Sequence, residues 1–363
     1  FLLFFVVRFL KKKRNKIMIQ LTQAHILGAI IAYLLGVFIV PIVIYYSDKM
    51  GLVDVPNERK IHKGKISRLG GIGIWLAVML TFLFLVLLSY YPKGQGLSGI
   101  IVGGSLMFLL GLIDDIFCLN AKFKLFLQIV IATMVFLLGV RIDEVYNPFG
   151  NNFELGFLAY PITLLWIVGI TNAINFIDGI DGLAGSVVTI GSVAIAIISI
   201  VATPSSPISA LVAIILSGAM LAFLTFNYNP AKIFMGDSGA LFAGFMLSTL
   251  SITGIMDAGT PLMYLPFLIL AIPILDVAYS SLRRISKGKS PFIADSEHIH
   301  HKLLHHGFSQ DLAVLTLSSV SMACAIVAII ITGFLNRYFI FAIALAFVLF
   351  LLNQVSKTIK KKG

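Results

Sequence analysis

Six aspartates carry most of the chemistry open to this chain. They are Asp114 and Asp115 in "GLIDDIF", Asp178 and Asp181 in "NAINFIDGIDGLAG", Asp237 in "MGDSG" and Asp276 in "PILD". Each stands at or near the end of an apolar run. A carboxylate at the centre of a membrane helix costs ~2.5–3.5 kcal/mol on insertion scales and less near the interface, so such groups face water or one another. Six gathered carboxylates repel unless a cation joins them. Oxygen-only ligands suit Mg²⁺, with Mn²⁺ as the alternative, far better than zinc.

Each motif also has a plainer use. "DD" can be the solvated end of a helix, and Asp237 can simply cap one. Asp178 and Asp181 are spaced i,i+3, on one face if helical, while Gly179 and Gly182 permit a tight turn or a close ligand approach. Asn172 and Asn175 can stabilise turns, Lys124 can anchor a helix at the headgroups, and Asp276 can pair with Arg283 or Arg284. The plainer uses weaken together if all these residues meet at one membrane face.

Five of the seven histidines crowd "HIHHKLLHH", His298 to His306. The zinc-protease pattern H-E-x-x-H does not match it. His298, His301 and His305 would share a helical face, which leaves a metal site open, as is a solvated basic loop. The reading preferred here is a polar loop over a phosphate-rich substrate. Imidazoles donate to phosphate oxygens and can gain charge near neutral pH, and Arg283, Arg284 and Lys302 add to that field.

The elements that must position these groups are membrane helices. The chain is 59% hydrophobic and 12% charged, about half the charged share of a soluble domain. Apolar runs of spanning length recur along it, and the alternating segments of a β-barrel are absent. The expected fold is an all-α polytopic membrane protein of about eleven spans: 24–46, 70–91, 98–113, 125–140, 156–171, 182–202, 208–226, 238–255, 262–282, 312–333 and 338–355. Residues 18–363 read as one integral-membrane domain. Residues 1–17 read as an upstream extension with Met18 as the start, since the apolar run precedes its charges, the reverse of a signal peptide. Cys118 and Cys324 form neither a zinc spacing nor a disulfide framework.

Charge sets the orientation. One set of connectors holds Lys49, Arg59, Lys60, Lys63, Lys65, Arg68, Lys122, Lys124, Lys232, Arg283, Arg284, Lys287, Lys289, Lys302, Lys357, Lys360, Lys361 and Lys362. The other holds Lys93, Arg141 and Arg337. The first set is expected in the cytoplasm, together with every acidic motif and the histidines. The net charge of +11 is then mostly a topology signal, and no nucleic-acid partner is expected. The outer segment 141–155, "RIDEVYNPFGNNFEL", reads as a small structural hairpin or loop.

These stretches resemble a known family. "DVPNERKIHKGKISRLGG", "DDIFCLNAKFKLFLQ", "NAINFIDGIDGLAG", "FNYNPAKIFMGDSG", "PILD" and "HIHHKLL" occur in the order seen in the polyprenyl-phosphate N-acetylhexosamine-1-phosphate transferases, and most resemble their WecA/TagO-like branch. The chain departs from the family pattern at Lys65-Ile66-Ser67 and at Ala240, and neither change removes an acidic group. The resemblance implies that undecaprenyl phosphate attacks the β-phosphorus of a UDP-N-acetylhexosamine, UDP-GlcNAc first among them. UMP leaves, and the lipid-linked product starts a cell-envelope polymer such as teichoic acid or the O-antigen of lipopolysaccharide.

It further implies Asp237 and Asn175 as Mg²⁺ ligands and Asp114 and Asp115 as catalytic, Asp114 orienting or deprotonating the lipid phosphate and Asp115 beside it or near the metal. Lys124, Asn172, Asp178, Asp181, Asp276, His298, His300 and His301 would bind substrate. A direct displacement is preferred to a covalent two-step route. The sister activity, phospho-MurNAc-pentapeptide transfer, and a secondary transporter are the alternatives. The oligomeric state is left open, a homodimer being one reading.

Overall fold

A chain crossing a bilayer must satisfy its backbone hydrogen bonds within each segment, and uncharged apolar runs therefore fold as helices. The computed structural model describes residues 16–54, 66–88, 96–202, 207–286, 288 and 298–333. The principal helices are α1 (Lys16–Lys49), α2 (Gly70–Leu87), α3 (Leu97–Phe117), α4 (Ala121–Leu137), α5 (Ala159–Ile177), α6 (Leu183–Ala202), α7 (Pro207–Asn227) and α8 (Gly236–Gly254). They are followed by α9 (Leu265–Ile269), α10 (Ala271–Ser286), α11 (Ile299–His305) and α12 (Gln310–Ile331).

The centre of the bundle is α8. It packs on α3, α5, α6, α2 and α7, and every residue from Ser238 to Gly254 is buried. A helix enclosed on all sides by other helices can carry Ser, Thr and Gly where a lipid-facing helix carries Leu and Phe. Its hydroxyls bond back to the preceding turn, as Thr249 and Thr253 do.

Two small antiparallel pairs mark opposite ends. β1 (Val53–Asp54) pairs with β2 (Ile66–Ser67) in register Val53↔Ser67 and Asp54↔Ile66. Asp54 is ion-paired with Arg68. β3 (Glu144–Val145) pairs with β4 (Phe153–Glu154), which makes segment 141–155 the expected hairpin. The β1–β2 pair sits at the end that carries the sequence motifs, and β3–β4 lies at the other.

The expected count of eleven spans is met in part. Among the described residues, seven helices are long and apolar enough to cross a membrane, and a bent pair makes an eighth. The expected span 125–140 is α4, of 17 residues, and 238–255 is the enclosed α8. The expected span 262–282 is broken: Pro261–Ile269 and Ala271–Ser286 meet at 72°. Pro273 lacks the N–H that would bond the carbonyl of Ile269, and its ring crowds that turn. Three expectations lie wholly or largely outside the described residues: the span 338–355, the extension 1–17 up to residue 15, and the basic stretch 55–65.

The bent helix α10 also reports its surroundings. Asp276, Ser280 and Arg284, spaced i,i+4,i+8, are buried, while Leu275, Leu282 and Ile285 are exposed. Polar inside and apolar outside is the pattern of a helix facing hydrocarbon. The chain is a multi-pass membrane protein.

Candidate active site

Asp114 and Asp115 are neighbours on the last turn of α3 and therefore point about 100° apart. Cys118, with φ 52°, ends that helix, and the chain re-enters α4 at Asn120, whose side chain accepts from Lys122 N at 2.9 Å. This tight reversal brings Lys124 over Asp114. Asp114 Oδ1 accepts from Leu119 N at 2.7 Å, and its Oδ2 accepts from Lys124 Nζ at 2.6 Å. The same ammonium donates to Asp237 Oδ2 at 3.2 Å. One lysine thus bridges carboxylates from α3 and α8.

Asp115 turns the other way. Its Oδ1 accepts from Asp237 N at 2.7 Å, and its Oδ2 accepts from Ser238 N at 2.9 Å and Ser238 Oγ at 2.6 Å. It neutralises the donor-rich N-terminus of α8 and so places Asp237. The approach needs glycine. Gly236 has φ +70°, and a Cβ there would lie 2.2 Å from Arg68 O and 2.7 Å from Asp115 Oδ2. The loop is held from behind, since Phe234 N donates to Ser67 O at 2.7 Å and Gly71 N to Met235 O at 2.9 Å.

On the other side of Asp237, Asn175 Nδ2 donates to its Oδ1. Asn172, one turn earlier, does not reach this group. It makes a reciprocal amide pair with the fully buried Gln128, at 2.7 and 3.3 Å. Gln128 escaped the sequence reading, although a glutamine one helical turn after Lys124 in an apolar run is a usable signal.

The "DGIDG" turn closes the cluster. Asp178 caps α5 and is half-buried. Desolvation, then the fields of Asp237, Asp115 and Asp181, hold its carboxyl well above the ordinary value. Asp181 is engaged elsewhere, its Oδ2 accepting from Ala231 N at 3.1 Å. Asn227, also missed from sequence, accepts from Gly182 N at 2.9 Å and donates to Ile233 O at 2.8 Å. Together they tie this turn to the connector leading into α8.

The histidines join at Gly179. A Cβ there would sit 2.2 Å from His300 Nε2, so only glycine admits the ring. His300 lies in a run of ring contacts, Phe176–His298 at 5.5 Å, His298–His300 at 5.9 Å and His300–His301 at 4.2 Å between centroids. Burial, then the neighbouring His301, lowers its pKa to about 4, so it is neutral at pH 7. Asp276 Oδ2 meets His298 Nδ1 at 2.8 Å, and its Oδ1 accepts from Ile299 N at 2.7 Å. Lys302 Nζ lies 3.8 Å over the Tyr279 ring, while His305 and His306 are exposed.

Among the described residues no three His, Cys, Asp or Glu side chains are grouped to hold a metal ion. The donors around Asp237 nevertheless fit a hard cation. Asp237 keeps 31% of its side-chain surface exposed, and a half-turn of the Asn175 amide, whose O and N are near-isosteric, presents an oxygen beside it. The added positive charge would relieve the crowding felt at Asp178.

Fold and site define a multi-pass membrane protein with an acid, lysine and imidazole centre at one end of its helices. The family model described as Glycosyl transferase family 4 matches residues 97–255, from α3 through α8. A probable undecaprenyl-phosphate N-acetylglucosaminyl 1-phosphate transferase of Bacillus subtilis (strain 168) is 37% identical over 330 residues, 89% of this chain and 90% of its own. A decaprenyl-phosphate N-acetylglucosaminephosphotransferase of Mycolicibacterium smegmatis is 32% identical, covering 74% of this chain and 72% of its own. The undecaprenyl-phosphate alpha-N-acetylglucosaminyl 1-phosphate transferase of Escherichia coli (strain K12) is 30% identical, covering 76% of each. The chain belongs to this family of polyprenyl-phosphate N-acetylglucosamine-1-phosphate transferases.

Proposed function

We propose that the chain transfers GlcNAc-1-phosphate from UDP-GlcNAc to undecaprenyl phosphate and releases UMP, as one integral-membrane unit working at the cytoplasmic face. The supporting observation is the lysine bridge, with Lys124 Nζ 2.6 Å from Asp114 and 3.2 Å from Asp237. A phosphate oxygen of the lipid forms a bond to the β-phosphorus as the bond to UMP breaks. Negative charge moves onto the leaving UMP, and a fixed ammonium beside the reacting phosphates stabilises that shift.

Roles follow from what each group has free. Lys124 can exchange a carboxylate for a phosphate oxygen without losing its charge pairing. Asp114 is then released to orient or deprotonate the lipid phosphate. Asp115 positions α8 and acts through Asp237. Asp237 and Asn175 would hold Mg²⁺, which when bound supplies further neutralisation of the diphosphate. Asp178 lines the same centre, Asp181 and Asn172 shape it, and His298, His300 and His301 border the donor. Phosphate is a competent nucleophile once positioned, which favours direct displacement.

Purified protein with Mg²⁺, undecaprenyl phosphate and radiolabelled UDP-GlcNAc tests this directly. A lipid-linked GlcNAc diphosphate with equimolar UMP is expected. No lipid product and no UMP across a panel of UDP-sugars would overturn the reading.

A further inference from the structure

Asp276 is 1% exposed and therefore does not reach a substrate itself. Both its oxygens are used, one on the His298 ring and one on the backbone N–H that opens α11. His298 is the N-cap of α11, yet its side chain makes no capping bond. The aspartate of α10 does that work from outside.

The geometry points to Asp276 as a positioning residue, one that holds His298 in a single tautomer and seats the first turn of α11. This deepens the proposed transfer reaction and rests on it. A carboxylate can only accept, so the ring nitrogen 2.8 Å from it, Nδ1, must carry the proton. Phe176 on one side and His300 on the other bound the ring. Nε2 is then the ring nitrogen of His298 left without a hydrogen bond among the described residues. Tautomer, ring plane and helix start are set by one buried group. Asp276 therefore acts through the imidazole and not on the sugar nucleotide, where a reading of its sequence position alone puts it.

The test is Asp276→Asn in the full-length protein in nanodiscs. Asparagine is nearly isosteric, but its Oδ1 can serve Ile299 N only by turning Nδ2 toward His298. That forces Nδ1 to accept and moves the ring proton to Nε2. In ¹⁵N-histidine-labelled protein, the wild type is expected to show a hydrogen-bonded Nδ1–H assigned to His298, beside that of His306 on Lys302 O, and the variant should lack the His298 signal alone. Turnover should fall roughly 10- to 100-fold, taking as a guide the loss seen when the partner that orients a metal-bound histidine is removed, with KM for undecaprenyl phosphate unchanged. In a His298→Ala background Asp276→Asn should add almost no further loss, because both changes remove the same unit. Additive losses, or an unchanged spectrum with wild-type turnover, would overturn the proposal.

Should Asp276→Asn fail to fold, Ile299→Pro separates the two bonds. It deletes the N–H to Asp276, and trims a side chain packed on the core, at a first-turn position that tolerates proline, after a residue already extended at φ −62°, ψ 161°. The Nδ1–H signal is expected to survive in it, and its loss would count against Asp276 as the holder of the tautomer. Absence of product with the wild type would overturn the transfer reading alone, since the tautomer is read without turnover.

Discussion

The Asp237 carboxylate keeps 31% of its side-chain surface exposed and faces two side chains that can move, Lys124 and Asn175. The Asp276 carboxylate keeps 1% and is spent on a backbone N–H and a stacked imidazole. Asp115 resembles Asp276, since its oxygens hold the first backbone groups of α8. Among aspartates that look equivalent in sequence, partners separate the roles. A carboxylate paired with a flexible cation can trade that cation for substrate or metal. One paired with fixed backbone donors cannot, and it builds the site instead.

The sharpest way to break this comparison is Asp237→Ala. Turnover should drop by roughly 10²–10³-fold, the scale of removing one charge-stabilising group from a reacting centre, with thermal stability close to wild type. Full activity at limiting Mg²⁺ would remove Asp237 from the metal site. Lys124→Ala should follow at about 10²-fold, and Lys124→Arg should recover part of it by keeping the charge. Asp115→Ala should add a loss the others lack: unfolding stability falls by about 1–2 kcal/mol for a lost helix cap, read by thermal melts in detergent, beside the turnover lost when Asp237 is displaced. A Lys124→Ala protein that melts early, or an Asp115→Ala protein that melts normally, would erase the distinction.

A further effect concerns pH. His300 is held neutral, with a folded pKa of about 4 against an ordinary 6.5. The folded state therefore binds fewer protons than the unfolded chain below 6.5. The stability this neutral ring contributes is complete above that value and declines as pH falls from 6.5 toward 4. His300→Gln should flatten that part of the stability profile. The comparison is made between variant and wild type, because the carboxylates titrate in both.

Much of this was legible from residue types. Carboxylates are expensive in hydrocarbon, so Asp114, Asp115, Asp178, Asp181 and Asp237 at the ends of apolar runs had to gather where water or a cation could reach them. Glycines inside the motifs foretold close approaches, as at Gly179. Helix identity also followed, because an uncharged apolar run has one way to satisfy its backbone. The break at Leu270 was less legible: Pro261, Pro266 and Pro273 lie in one apolar run, and hydropathy is blind to which of them bends it.

By itself, then, the sequence determined that the chain is a helical membrane protein and which side chains could do its chemistry. Composition and local spacing depend only on residue type and on distance along the chain. The tertiary structure alone decided that Lys124 lies between Asp114 and Asp237, that Asn172 belongs to Gln128, and that Asp276 serves His298. Those partners are 10 to 113 residues from one another along the chain, and which donor meets which carboxylate oxygen is set by how helices cross, a property that no single segment carries.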